Sequence, residues 1–187
     1  IIVSGLPRSG TSMMMKMLKA GGIELLTDEQ RLADEDNPQG YFEFERVKKL
    51  KEGDVDWVPA AQGKAVKVIS YLLEGLPADQ RYQVIFMQRD MQEILASQKQ
   101  MLIRRGEPTD RVSDEEMATL FKKHLKQVEA WLEEQPNIEV LYVHYTEILN
   151  DPRTLASTVA GFLGVPLDVE QMAAVPDERL HRQRSRA

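Results

Sequence analysis

The segment formed by residues 5–12 constrains the fold of this 187-residue chain more than any other. Its sequence, GLPRSGTS, follows the short apolar run 1–3 and leads into residues 11–20, whose apolar side chains have helical spacing. Two glycines separated by four residues let a loop curl so that backbone N–H groups point inward, and the N-terminus of the next helix adds its positive dipole. The pattern predicts an anion-binding loop between a strand and a helix.

The loop also differs from the common nucleotide-binding loop in one position. The spacing matches G-x-x-x-x-G-K-[ST], except that Thr11 occupies the position of the lysine. Because that lysine normally holds the β- and γ-phosphates, its absence weakens the case for ATP or GTP hydrolysis. Arg8, two residues before Gly10, supplies a positive charge within the loop instead. The alternative is an ordinary strand-to-helix turn with a surface arginine.

The remaining pattern predicts an α/β fold with three layers. Further apolar runs with few interruptions, typical of strands buried on both faces, are residues 65–69, 84–87 and 138–143. Helical spacing is found in residues 91–105, 113–134 and 155–163. In the second of these, Ser113 and Glu116 form a capping-box pattern. Strands that alternate with helices favour a parallel sheet with right-handed crossovers, covered on both sides.

Length and composition narrow the classes of function. A chain of 187 residues predicts one domain over residues 1–187. The net charge of −6 argues against a general nucleic-acid or anionic-membrane surface, so an anionic ligand needs a local cluster of positive groups. The absence of cysteine excludes disulfides and thiolate chemistry, and three histidines far apart in sequence predict no metal site.

The sequence also bears on the compartment. No apolar run approaches the roughly 18 residues of a membrane-spanning helix, so no span is expected. The chain begins at Ile1 rather than Met, which we interpret as the removal of a leader or of preceding residues. The predicted location is the cytoplasm, and the oligomeric state is left open.

Three motifs resemble the sulfotransferases that use 3′-phosphoadenosine-5′-phosphosulfate (PAPS). Residues 7–12, PRSGTS, are similar to the family's 5′-phosphosulfate loop, P-[KR]-S-G-T-[ST]. Arg89 and Ser97 have the separation of the arginine at a strand end and the serine eight positions later that bind the donor's 3′-phosphate. Residues 143–152 and 161–167 are similar to the family's Y-E-[DE]-L-x-x-D-P and F-L-G-x-P-L segments. The three motifs occur in the family's order, so the resemblance covers most of the chain.

The resemblance implies a P-loop sulfotransferase topology and transfer of a sulfuryl group from PAPS to a hydroxyl or amine. The implied acceptor is a small molecule, a lipid or a carbohydrate, and the net charge of −6 argues against a nucleic-acid partner. The residues implied for the 5′-phosphosulfate are Pro7, Arg8, Ser9, Gly10, Thr11 and Ser12. Arg89 and Ser97 are implied for the 3′-phosphate. Tyr145 is either an adenine contact or a core tyrosine.

The implied catalytic groups are less well defined. Arg8 is expected to neutralise charge on the transferred group. Lys67 corresponds in position to a lysine-bearing strand of cytosolic sulfotransferases that approaches the sulfonate; the alternative is a surface lysine at the edge of the sheet. The histidine base of the cytosolic branch is missing, because the chain reads KVIS from Lys67 to Ser70.

Other branches of the family use a glutamate after the first helix, where this chain has an acidic excursion at residues 27–45. That segment contains seven acidic residues. The candidate bases are Asp36 and Glu43, followed by Glu35 and Glu45. A solvated acidic face is the alternative.

Two other functions fit the same sequence, and the C-terminal segment has two interpretations. The chain is alternatively a P-loop kinase or hydrolase, or a module that binds an adenosine bisphosphate without transferring anything. The basic tail at residues 178–187 either closes over the 3′-phosphate or is a frayed end.

Overall fold

The computed structural model describes residues 1–28 and 40–176. Within them a parallel sheet has the order β2-β1-β3-β4. Its strands are β1 (Ile2–Gly5), β2 (Val66–Lys67), β3 (Tyr82–Gln88) and β4 (Ile138–His144). The predicted α/β class with a parallel sheet is confirmed.

Helices lie on both faces of this sheet. They are α1 (Thr11–Ala20), α2 (Met91–Arg104), α3 (Asp114–Glu133), α4 (Tyr145–Asn150), α5 (Pro152–Leu163) and α6 (Val169–Ala173). Short 3-10 helices are found at Glu45–Glu52, Pro59–Ala61 and Ser70–Gly75. The predicted capping box begins α3: Ser113 Oγ accepts the Glu116 N–H at 3.1 Å, and the Glu116 carboxylate accepts the Ser113 N–H at 3.2 Å.

The alternation of side chains along β3 explains its uninterrupted apolar sequence. Val84 and Phe86 pack against α3 and the 3-10 helices, whereas Ile85 and Met87 face α1, α5 and α6. Successive residues of a strand point to opposite faces, so a strand covered on both sides must be apolar throughout. The two cores on either side of the sheet give the three-layer arrangement that the sequence predicts.

Some boundaries differ from the predictions. The run predicted as a strand at residues 65–69 pairs over only two residues, because a 3-10 helix begins at Ser70. The last long helix starts at Pro152, three residues early, where the side chain of Asp151 accepts the Thr154 N–H at 3.0 Å. Within α3, Leu120 is 56% exposed, because the buried residues of that helix, Val128 and Leu132, lie in its second half.

Because the strands are parallel, their carboxyl ends all lie at the same edge of the sheet. β1 lies between β2 and β3, so the connections from neighbouring strands leave in opposite directions at its carboxyl end. Crevices at such a point are the usual ligand sites of open parallel sheets. Residues 5–12 follow β1 at this edge, Arg89 follows β3 and Tyr145 follows β4.

Candidate active site

The glycines of the loop after β1 are required by close contacts. Gly5 has φ 140°, and a Cβ there would lie 2.6 Å from both the Met87 carbonyl oxygen and Ser9 Oγ. Gly10 has φ 103°, and a Cβ there would lie 2.6 Å from Cδ2 of Tyr145. The loop is therefore pressed between β3 and the start of α4, and any side chain at either glycine would displace it.

The loop continues directly into α1, which begins at Thr11 with Gly10 as N-cap. The first N–H groups of a helix have no partner within it, so they are available to an anion at this end. Ser9 is buried, and within the part of the chain that the structure describes its hydroxyl has no hydrogen-bond partner. Pro7 is the exposed residue of the loop. An orphaned hydroxyl and a helix N-terminus fit an anionic group.

Arg8 joins the loop to the second motif. Its backbone has φ 72°, a left-handed conformation uncommon for a side-chain-bearing residue. Its Nε donates a hydrogen bond to Ser97 Oγ at 2.9 Å, and its carbonyl oxygen accepts one from Arg89 Nη1 at 3.1 Å. Two motifs separated by about 80 residues in sequence therefore form one hydrogen-bonded cluster.

Arg89 has two further partners besides the carbonyl oxygen of Arg8. Its Nε donates to a carboxylate oxygen of Glu93 at 2.9 Å, and the two side chains are 8% and 3% exposed. Its guanidinium lies 4.2 Å from the centre of the Tyr145 ring, a distance suited to a cation–π contact. Sequence reasoning missed Glu93. The available signal was its position in the first turn of the helix that follows Arg89, four residues further along the chain.

Tyr145 closes the cluster from the side of β4. Its ring contacts Gly10 and the guanidinium of Arg89, and it is buried. Burial raises the pKa of the phenol, while the positive charges of Arg89 and Arg8 act in the opposite direction. The tyrosine is thus a buried residue that also lines the loop.

Lys67 lies at the other side of the loop, at the end of β2. Its amino group donates to Ser12 Oγ at 3.1 Å and to the carbonyl oxygen of Tyr41. The Glu43 carboxylate is 4.0 Å away. The alternative of a surface lysine is wrong, because Lys67 is 8% exposed.

The described parts of the acidic segment, Asp28 and residues 43–45, contact each other. The Asp28 N–H donates to the Glu43 carbonyl oxygen at 3.2 Å, and the Glu45 N–H donates to the Asp28 carboxylate at 2.6 Å. The Glu45 carboxylate forms an ion pair with Lys48 at 2.6 Å. Of the two candidate bases that the structure describes, Glu43 is therefore the one beside the loop.

Several predicted residues lie outside the described residues. These are Asp36, Glu35 and the basic tail at residues 178–187. Within residues 1–28 and 40–176 no group of three or more metal-ligating side chains comes together. In the same ranges, each helix is too short or too polar to cross a bilayer.

Comparison with known proteins identifies the family. The sequence profile described as "Sulfotransferase domain" matches residues 1–182. The chain belongs to the sulfotransferase domain family, and the predicted class of enzyme, a sulfotransferase, is confirmed. No curated protein sequence matches the chain.

Solved sulfotransferase structures share the fold at low sequence identity. The sulfotransferase domain from the curacin biosynthetic pathway is 16% identical with a TM-score of 0.53, over 91% of this chain and 76% of that one. Mouse sulfotransferase SULT7A1 complexed with PAP is 17% identical with a TM-score of 0.53, over 94% of this chain. The match spans only 61% of the mouse chain.

Proposed function

We propose that this chain transfers a sulfuryl group from PAPS to a hydroxyl or amine of a small molecule, a lipid or a carbohydrate. The observation that carries the proposal is the position of the Lys67 amino group, 3.1 Å from the loop hydroxyl of Ser12 and 4.0 Å from the Glu43 carboxylate. A cation, a phosphate-binding loop and a carboxylate thus meet at one edge of the sheet. Membership of the sulfotransferase family supports the reaction, and the PAP bound by the mouse relative supports the donor.

The donor's two anionic ends have separate partners in this proposal. The N–H groups and hydroxyls of residues 9–12 hold the 5′-phosphosulfate, with Arg8 beside them. Arg89 and Ser97 hold the 3′-phosphate, and Tyr145 contacts the adenine. The protein as a whole has a net charge of −6, so this local concentration of positive groups attracts the donor.

Transfer requires one base and charge neutralisation on the leaving group. Glu43 removes the proton from the acceptor hydroxyl as its oxygen attacks sulfur in line with the phosphosulfate bond. The S–O bond to the 5′-phosphate breaks, and its electron pair leaves with adenosine 3′,5′-bisphosphate. Lys67 stabilises the charge that develops on the bridging oxygen. The proton on Glu43 then passes to solvent.

Glu43 is preferred to Glu45 because the ion pair with Lys48 gives the Glu45 carboxylate a separate partner. Asp36 remains the second candidate for the base. The acidic excursion at residues 27–45 and the loop after β1 act together within a single domain.

Calorimetry with adenosine 3′,5′-bisphosphate, with ATP and Mg²⁺, and with buffer tests donor recognition. We expect binding of the bisphosphate and none of ATP with Mg²⁺; the reverse result would support a kinase or hydrolase. Transfer is then measured with ³⁵S-labelled PAPS and a panel of acceptors. Arg8→Ala is expected to lose transfer and Arg81→Ala, at an exposed arginine, to keep it. Binding without transfer to any acceptor would favour a non-catalytic module.

A further inference from the structure

The buried carboxylate of Glu93 has no role in the reaction described above. It lies in the first turn of α2, is 3% exposed, and contacts the guanidinium of Arg89 rather than solvent. The helix start fixes its position, because the Asp90 side chain accepts the N–H groups of Gln92 and Glu93 at 2.9 Å and 3.2 Å. Burying a charged side chain costs free energy, because the charge loses its contact with water, so a buried carboxylate needs a charged partner.

We propose that Glu93 is a positioning residue of the 3′-phosphate subsite, which acts by fixing the guanidinium plane of Arg89. This inference rests on the proposed function, in which Arg89 binds the donor's 3′-phosphate. Glu93 accepts from Nε, the Arg8 carbonyl accepts from Nη1, and the Tyr145 ring lies against one face. A guanidinium restrained in this way has already lost its rotamer freedom, so phosphate binding costs less entropy.

The same contacts link the subsite to the loop. Arg89 holds the carbonyl oxygen of Arg8, whose backbone is in the left-handed conformation, and Ser97 holds its side chain. A shift of Arg89 therefore disturbs both the 3′-phosphate subsite and the turn of the loop. The larger effect is expected at the 3′-phosphate, because Arg89 contacts that group directly.

The carboxylate also opposes binding, since its negative charge lies near a phosphate. The ion pair with Arg89 at 2.9 Å offsets that negative charge. The net contribution of Glu93 to phosphate binding is therefore the restraint that it places on the guanidinium. Removing the acceptor should therefore weaken binding of the 3′-phosphate instead of strengthening it.

The test compares two ligands that differ only in the 3′-phosphate: adenosine 3′,5′-bisphosphate and adenosine 5′-monophosphate. For Glu93→Met, which keeps the volume but removes the acceptor, we expect about tenfold weaker binding of the bisphosphate and little change for the monophosphate. Glu93→Gln keeps an acceptor oxygen and should recover most of the affinity. Glu139→Gln, an exposed glutamate of β4, is the matched charge control and should behave as the unaltered protein.

A second comparison separates positioning from general support of the fold. In an Arg89→Ala background, Glu93→Met should cause no further loss of bisphosphate affinity, because its effect passes through Arg89. If Glu93→Met alone fails to fold, the double variant, in which both buried charges are removed, can still be compared with Arg89→Ala. Glu93→Gln then reports the ratio of the affinities for the bisphosphate and the monophosphate. For that variant we expect a smaller loss, confined to the bisphosphate.

The outcomes distinguish the inference from the proposed function. Two results would overturn the positioning role while the proposed function stands. One is an unchanged ratio of the affinities for the bisphosphate and the monophosphate, and the other is a further loss of bisphosphate affinity in the Arg89→Ala background. Failure of the unaltered protein to bind the bisphosphate would remove the proposed function and this inference with it.

Discussion

The amino group of Lys67 lies 3.1 Å from the hydroxyl oxygen of Ser12, although 55 residues separate them in sequence. Parallel pairing of β1 with β2 produces this contact, because Val3 is in register with Lys67 and both strands end at the same edge of the sheet. A lysine at the end of β2 is thereby directed to the loop that follows β1. This geometry makes the role of Lys67 testable apart from that of the loop.

Replacing Lys67 by Met should slow transfer about 100-fold or more, the usual cost of removing one group that stabilises developing charge. Bisphosphate affinity should change much less, because Lys67 stabilises charge that appears only during transfer. Single-turnover rates with labelled PAPS and calorimetry measure the two effects. Lys64→Met, three residues earlier and partly exposed in an ion pair with Glu24, is the control. A loss confined to binding would contradict the assignment.

Replacing Glu43 by Gln should reduce the transfer rate about 100-fold or more, as expected for the loss of a general base. The donor should still bind, since the carboxylate acts on the acceptor. Glu45→Gln removes the same charge two residues away, where the carboxylate is paired with Lys48, and should leave the rate near normal. If Glu43→Gln keeps full activity and Asp36→Asn loses it, the base is Asp36.

Gly10→Ala should destabilise the chain more than Gly22→Ala. Both glycines have similar φ angles, 103° and 101°, so both variants incur backbone strain of about 1–2 kcal/mol. Only at Gly10 does the new methyl group meet a neighbour, the Tyr145 ring at 2.6 Å, which adds about 1–3 kcal/mol of overpacking. Urea unfolding measures the difference, and bisphosphate binding should weaken in Gly10→Ala alone. Equal destabilisation of the two variants would show that the ring gives way freely.

The features that sequence predicts well are those with a local cause. Helix α1 has the predicted bounds, Thr11 to Ala20, because the glycine loop before it and its apolar spacing lie within one short segment. The capping box of α3 is likewise contained in four residues. Arg89 at the end of β3 could be predicted because a continuous apolar run stops there.

The features that sequence does not predict depend on contacts between distant segments. The bond from Arg8 to Ser97 spans 89 residues, and no periodicity indicates it. A glutamate is typical of an exposed helical position, and the burial of Glu93 depends on how α2 packs against the loop. The short pairing of β2 depends on where Ser70 turns away from β1, which the apolar run does not reveal.

His124 gives a prediction about pH. Its ring nitrogen lies 2.9 Å from Ser70 Oγ, and burial lowers its pKa below the ordinary 6.5, with Glu74 opposing and Lys51 reinforcing that shift. The folded chain therefore binds this proton less tightly than the unfolded chain does. The resulting stability is fully present above pH 6.5 and is lost as the pH falls through the folded-state pKa. We expect the free energy of unfolding in urea to decrease from pH 7.5 to pH 5, and His124→Gln to show a smaller decrease. Identical pH dependence in the two proteins would assign the acid sensitivity to other groups.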